Sequence, residues 1–151
     1  MPQSLAALYV HLVFSTKSRE PLIERWLEED LYAIIGGLAR GRGAVLLAAG
    51  GMPDHVHLLV SMPRTWAVAD LVRDLKSNSC GWVHDTFPAK LSHFAWQEGY
   101  GAFSVSVSQL EVVKGYLAKQ KTHHDIQSFQ DEYRLLLDKH EIEYDERYVW
   151  D

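Results

Sequence analysis

Pro53-Asp54-His55-Val56-His57-Leu58-Leu59-Val60 is the stretch on which the reading of this chain turns. Pro-Asp is turn chemistry, and the run behind it is apolar enough to read as a β-strand over His55 to Ser61. Side chains at i and i+2 of a strand share a face. His55 and His57 therefore point the same way and can grip one metal ion. Upstream, Ala44 to Ala49 reads as a second short strand and Gly50-Gly51-Met52-Pro53 as its turn, so the two strands form an antiparallel hairpin.

The pattern extends in both directions from this hairpin. Leu8 to Ser15 is β-rich and reads as a first strand. A helix follows Pro21, with Leu27, Leu31, Ile34, Ile35 and Leu38 at helical spacing, and Gly41 and Gly43 break it. After Met62-Pro63, the residues Val68, Leu71, Val72, Leu75, Ser79 and Trp82 trace one face of a second helix. Residues 93 to 107 read as strand, with Gly99 and Gly101 marking a bulge, bend or close backbone approach. Ser108-Gln109-Leu110-Glu111 fits a capping box, with Val107 and Val112 as a hydrophobic staple. The helix it opens runs to about His123. A further helix starts after Ser128, with Phe129, Tyr133, Leu136 and Leu137 inward. The aromatic, charged stretch 144–150 is expected to pack against something.

The order strand, helix, strand, strand, helix, strand points to an α+β fold. It is a ferredoxin-like split βαβ antiparallel sheet with helices on one face, followed by C-terminal helices. The other face is expected to be free for a ligand or a second subunit. With 151 residues, 47% hydrophobic and 23% charged, the chain suits one domain spanning 1–151. No run approaches the ~18 apolar residues of a membrane span, and no secretion signal is visible. Cys80 is the only cysteine. An intrachain disulfide is excluded, and a cytoplasmic setting is the default expectation.

The formal net charge of −5 is unevenly spread. Residues 1–124 hold 12 Lys and Arg against 11 Asp and Glu, whereas residues 125–151 hold 3 against 9. The acidity belongs to the C-terminal extension. The near-neutral body permits a local basic groove for nucleic acid, resting on few phosphate contacts. Lys17, Arg19, Arg73, Lys76 and Asn78 are the candidate contacts.

Two imidazoles do not choose a metal by themselves. A closed zinc site needs two more Cys or His ligands, for which Cys80 and His123-His124 are the candidates. An open site with a carbonyl oxygen suits Mg²⁺ or Mn²⁺ acting on a phosphate. Tyr116 and Gln120, four apart, share a helix face. Gln120 supplies an amide oxygen for the metal. Tyr116 supplies a nucleophile whose attack on a phosphodiester leaves a phosphotyrosine ester. That exchange roughly conserves bond energy and needs no ATP. Each residue also has a structural reading: buried histidines, a core tyrosine, a solvated helix face. His11, alternating with Leu12, reads as a polar strand position.

Gly50 to Val60 resembles the histidine-hydrophobic-histidine motif of the HUH single-tyrosine transposases, which mobilise small insertion sequences as single-stranded DNA. Leu71 to Lys76, Phe94 to Val105 and Tyr116-Leu117-Ala118-Lys119-Gln120 resemble the segments that follow it in that family. The resemblance runs from about residue 8 onward. It implies a divalent metal held by His55, His57 and Gln120, and Tyr116 as the residue that joins a 5′ phosphate of cleaved single-stranded DNA. It also implies a homodimer with possible exchange of the tyrosine helix, and DNA with hairpin ends as partner. Both mobile-element enzymes and host-fixed relatives associated with repetitive extragenic palindromes share this compact form. A non-catalytic module holding single-stranded or hairpin nucleic acid on the sheet is the alternative. A two-motif phosphoesterase is a third reading; only His84-Asp85-Thr86 supplies its second motif, near a helix end.

Overall fold

The computed structural model describes residues 2–123 and 127–151. Its elements are β1 (Tyr9–Ser15), α1 (Arg25–Arg40), β2 (Val45–Met52), β3 (His55–Ser61), α2 (Val68–Thr86) and β4 (Gly101–Val105), then α3 (Leu110–Ala118), α4 (Gln120–His123) and α5 (Phe129–Lys139). The strands form one antiparallel sheet in the order β2-β3-β1-β4. This is the expected α+β arrangement.

Alternation along the two central strands divides the molecule into two layers. Leu12 and Phe14 of β1, with Val56, Leu58 and Val60 of β3, meet Leu27, Leu31 and Ile35 of α1 and Leu71, Leu75 and Val83 of α2 in the main core. The odd-numbered residues face the other way. The register sets Val13 opposite His57 and Ser15 opposite His55, so this second face carries both polar site residues and apolar Val13.

The second face is not free, contrary to the sequence-based expectation. Helix α3 packs across β2 and β3. Phe129, Tyr133 and Leu137 of α5 bury against Val13 and Phe103, and Tyr144, Val149 and Trp150 of the C-terminal stretch pack onto the same cluster. Each fully buried side chain of this size stabilises the layer by about 1.5–3 kcal/mol. An exposed Val13–Phe103 patch would forgo that term.

Four boundaries differ from the sequence reading. Strand β2 continues through Gly50, Gly51 and Met52, and only Pro53 and Asp54 lie between it and β3. The glycines serve a close approach instead of a turn: a Cβ on Gly50 would lie 2.0 Å from the Leu117 carbonyl oxygen of α3. Residues 93–100 are not strand. Trp96 makes one isolated bridge with Thr16, and its ring packs edge-on against Phe14 and Phe94 at 4.9 and 5.0 Å. Lys76 Nζ ties this loop down through the carbonyls of Gln97, Glu98 and Gly99 at 2.9, 3.2 and 2.5 Å.

The capping box does not form. Ser108 lies in a single 3₁₀ turn, its hydroxyl pairs with that of Ser106 at 3.0 Å, and Val107 and Val112 remain exposed. The helix expected to run to His123 is broken at Lys119, whose φ and ψ are −100° and 13°. Helix α5 does start as read, with the Ser128 hydroxyl accepting from the Asp131 amide at 3.2 Å.

Gly50→Ala is expected to destabilise the fold by about 2 kcal/mol or more, because backbone and not a flexible side chain must yield. Urea denaturation followed by far-UV circular dichroism measures this.

Candidate metal centre

The hairpin tip builds the first half of the site. The two-residue turn Pro53–Asp54 starts β3 with His55, and both His55 and His57 are fully buried beneath the C-terminal helices. Asp54 Oδ1 lies 2.7 Å from His55 Nδ1. That bond fixes the Nδ1–H tautomer and leaves Nε2 facing inward. Phe129 covers the His55 ring at a centroid distance of 4.4 Å. Burial opposes the charged form of His55, but the carboxylates of Asp54 and Glu132 outweigh it and raise the pKa.

The second half comes from the helices. Tyr116, near the end of α3, and Gln120, which opens α4, stand on either side of the Lys119 break instead of on one helix face. Their side chains still converge, because both reach Glu132 of α5. Gln120 Nε2 donates to Glu132 Oε2 at 3.0 Å, and the Tyr116 hydroxyl donates to the same oxygen. Glu132 Oε1 lies 2.8 Å from His57 Nε2 and 3.4 Å from His55 Nε2. Gln120 Oε1 is 3.4 Å from His55 Nε2. One carboxylate, 2% exposed, thus touches His55, His57, Gln120 and Tyr116.

The donor set fits a divalent metal ion. Glu132 Oε1 lies 2.8 Å from His57 Nε2, and both Glu132 Oε1 and Gln120 Oε1 lie 3.4 Å from His55 Nε2, close enough for one small divalent ion to be held among them. The ligand atoms of His55, His57 and Glu132 lie within 4.8 Å of one another. Two imidazoles with carboxylate and amide oxygens suit a first-row divalent ion or Mg²⁺. Cys80 is not a fourth ligand: it lies on α2 across the sheet, its thiol bonded to the Phe94 carbonyl at 3.3 Å. His124 lies outside the described residues.

The Tyr116 phenol is half-buried, and its pKa is raised well above the usual value by burial first and then by its bond to the Glu132 carboxylate. In this arrangement the phenol is held protonated. A cavity of about 720 Å³ opens beside it, between β4, α3 and α5, with Phe103, Val113, Tyr116 and Leu136 among its walls.

The five candidate DNA contacts do not converge on this site. Lys17 is exposed on the turn after β1, and the Arg19 guanidinium sits 5.9 Å from the Trp150 ring. Arg73 pairs with Asp70 at 3.2 Å on α2, across the sheet. Asn78 donates to the Asp74 carbonyl at 2.8 Å, and Lys76 is held by the 97–99 carbonyls. His84-Asp85-Thr86 forms the end of α2, also across the sheet. Glu132 and Asp54 were missed. A signal for Glu132 was present: it adjoins Tyr133 in the inward stripe begun by Phe129, an acidic residue at a core position.

The model of the family described as IS200-like transposases matches residues 4–120. The chain belongs to the IS200-like transposase family. The match ends at Gln120, so α5 and Glu132 lie beyond it. Among curated relatives of this transposase-family chain is the ISDra2 transposase TnpA of Deinococcus radiodurans, 26% identical over 117 residues, covering 75% of this chain and 84% of the relative. A crystal structure described as a transposase of D. radiodurans R1 superposes with a TM-score of 0.65 at 27% identity, over 80% of this chain and 95% of that one. A REP-associated tyrosine transposase bound to a REP hairpin superposes with a TM-score of 0.60 at 14% identity, over 82% of this chain and 72% of that one. The last likeness is one of fold. Among the described residues, no helix is long and apolar enough to cross a membrane.

Glu132→Gln is expected to weaken Mn²⁺ binding by about 10-fold or more, since it removes the one formal negative charge among these donors. Isothermal titration with Mn²⁺ measures it, and unchanged affinity would remove Glu132 from the metal set.

Proposed function

We propose that this transposase-family chain is a metal-dependent single-stranded DNA strand transferase. Tyr116 is the nucleophile, and His55, His57 and Gln120, joined by Glu132, hold Mg²⁺ or Mn²⁺. The observation that carries this reading is the convergence of the Tyr116 hydroxyl and all these donors on one buried carboxylate.

When bound, the cation polarises the scissile phosphate and offsets the charge that develops on its oxygens. The rest is done by the chain. Helix α3, seated on Gly50, places the phenol beside the donor cluster, so attack geometry is set before DNA arrives. The Tyr116 oxygen forms a bond to phosphorus and the bond to the 3′ oxygen breaks. The departing 3′ oxygen takes a proton from water, and the DNA is left with a free 3′ hydroxyl and a 5′ phosphotyrosine. Glu132 already accepts the phenol's hydrogen bond and stands where that proton must go. The cavity beside Tyr116 offers room for a nucleotide flanking the scissile phosphate, with apolar walls against which a base can stack.

Hairpin-ended DNA is the proposed partner, with Lys17, Arg19 and Arg73 as phosphate contacts. The reading includes a homodimer, and within one chain Tyr116 reaches that chain's own donor cluster. Sedimentation velocity at micromolar concentration tests the dimer, and a single monomeric species overturns it. The alternative, a binding protein that does not cleave, is favoured by one observation: Glu132 fills the place between ligands and nucleophile.

The test is a denaturing gel with end-labelled, hairpin-flanked single-stranded oligonucleotides and Mn²⁺ or Mg²⁺. The wild-type chain is expected to form a covalent adduct, and Tyr116→Phe to form none. Adducts that persist in Tyr116→Phe exclude Tyr116 as nucleophile. Hairpin binding with no adduct in either metal selects the non-cleaving alternative.

A further inference from the structure

His11 belongs to none of the roles assigned so far. It lies on β1, opposite Leu59 of β3 and Phe103 of β4, on the site face of the sheet. It is 5% exposed. Its Nε2 is 2.8 Å from Nδ1 of His57, and the two ring centroids are 5.0 Å apart. The site therefore grips each imidazole of the H-x-H pair from behind: Asp54 at Nδ1 of His55 and His11 at Nδ1 of His57.

The pairing matters because a ring that offers Nε2 to a cation must carry its proton on Nδ1, and that proton needs an acceptor. A neutral imidazole can accept at Nε2 while keeping its own proton on Nδ1. Without His11, the Nδ1–H of buried His57 would lose the acceptor that lies 2.8 Å away. We propose that His11 is a positioning residue for the metal centre: through Nδ1 of His57 it sets the tautomer and ring orientation that turn Nε2 toward the cation. The inference rests on the reading that His55 and His57 hold a metal.

The test uses the full chain and Mn²⁺ as probe, titrated calorimetrically, with Co²⁺ absorption as a second readout. His11→Phe keeps a ring of similar size but no hydrogen-bonding nitrogen. It is expected to lose about 10–100-fold in Mn²⁺ affinity and to alter the Co²⁺ visible bands. His11→Gln, which retains donor and acceptor, is expected to recover most of the affinity. Wild-type affinity and spectrum in a folded His11→Phe chain overturn the proposal. If that variant does not fold, long-range proton–nitrogen spectra of the wild-type chain loaded with Zn²⁺ decide. His57 protonated at Nδ1 with His11 accepting supports the proposal, and His11 protonated at Nε2 overturns it. The underlying site reading fails separately: wild-type chain that takes up no Mn²⁺, or His55→Ala that binds it as tightly as wild type, removes the metal from these histidines.

Discussion

Period-two alternation along β3 is the constraint from which the rest of the structure follows. Val56, Leu58 and Val60 must face α1 and α2, since the main core is built on them. Once they do, His55 and His57 have no choice but to face the opposite layer. A one-residue slip would bury imidazoles in the main core and expose valines to the donor cluster. The tight Pro53–Asp54 turn and the pairing of β3 with both β2 and β1 hold the register. The site is thus positioned by the same packing that makes the protein fold.

The cost of that arrangement falls on the second layer. Two imidazoles and a carboxylate lie buried beneath Phe129 and Tyr133. Buried polar groups are tolerated only when they are paired. Glu132 meets that demand by contacting His55, His57, Gln120 and Tyr116 together. Its contacts span β3, α3, α4 and α5, so the polar cluster ties the C-terminal helices to the sheet as well as preparing a place for a cation. The family match stops before α5, so the carboxylate lies outside the matched region.

Much of the fold was legible because hydrophobic periodicity is a local signal. Strand β3 was bounded to the residue, and the inward stripes of α1 and α2 were read from Leu27, Leu31, Leu71 and Leu75. What escaped depends on contacts between distant segments. Gly50 and Gly51 look like a turn until α3 is seen lying on them. Phe94 and Trp96 look like strand residues until Phe14 and Lys76 are seen holding their loop. Ser108 looks like a helix cap, yet its hydroxyl finds Ser106 instead. In the site, the H-x-H spacing announced itself, as did Tyr116 and Gln120 by resemblance. Glu132 did not, since a single acidic residue in an amphipathic helix reads as solvated until the helix's inner face is weighed residue by residue.

The interruption at Lys119 has a bearing on how such a site can be altered. Phenol and amide ride on separate short rods, one anchored by backbone contact on β2 and the other by side-chain bonds to α5. Lengthening or shortening the joint between them would alter how the two groups meet at Glu132. The distance from the Tyr116 phenol to the imidazole pair is therefore a quantity that small insertions can tune.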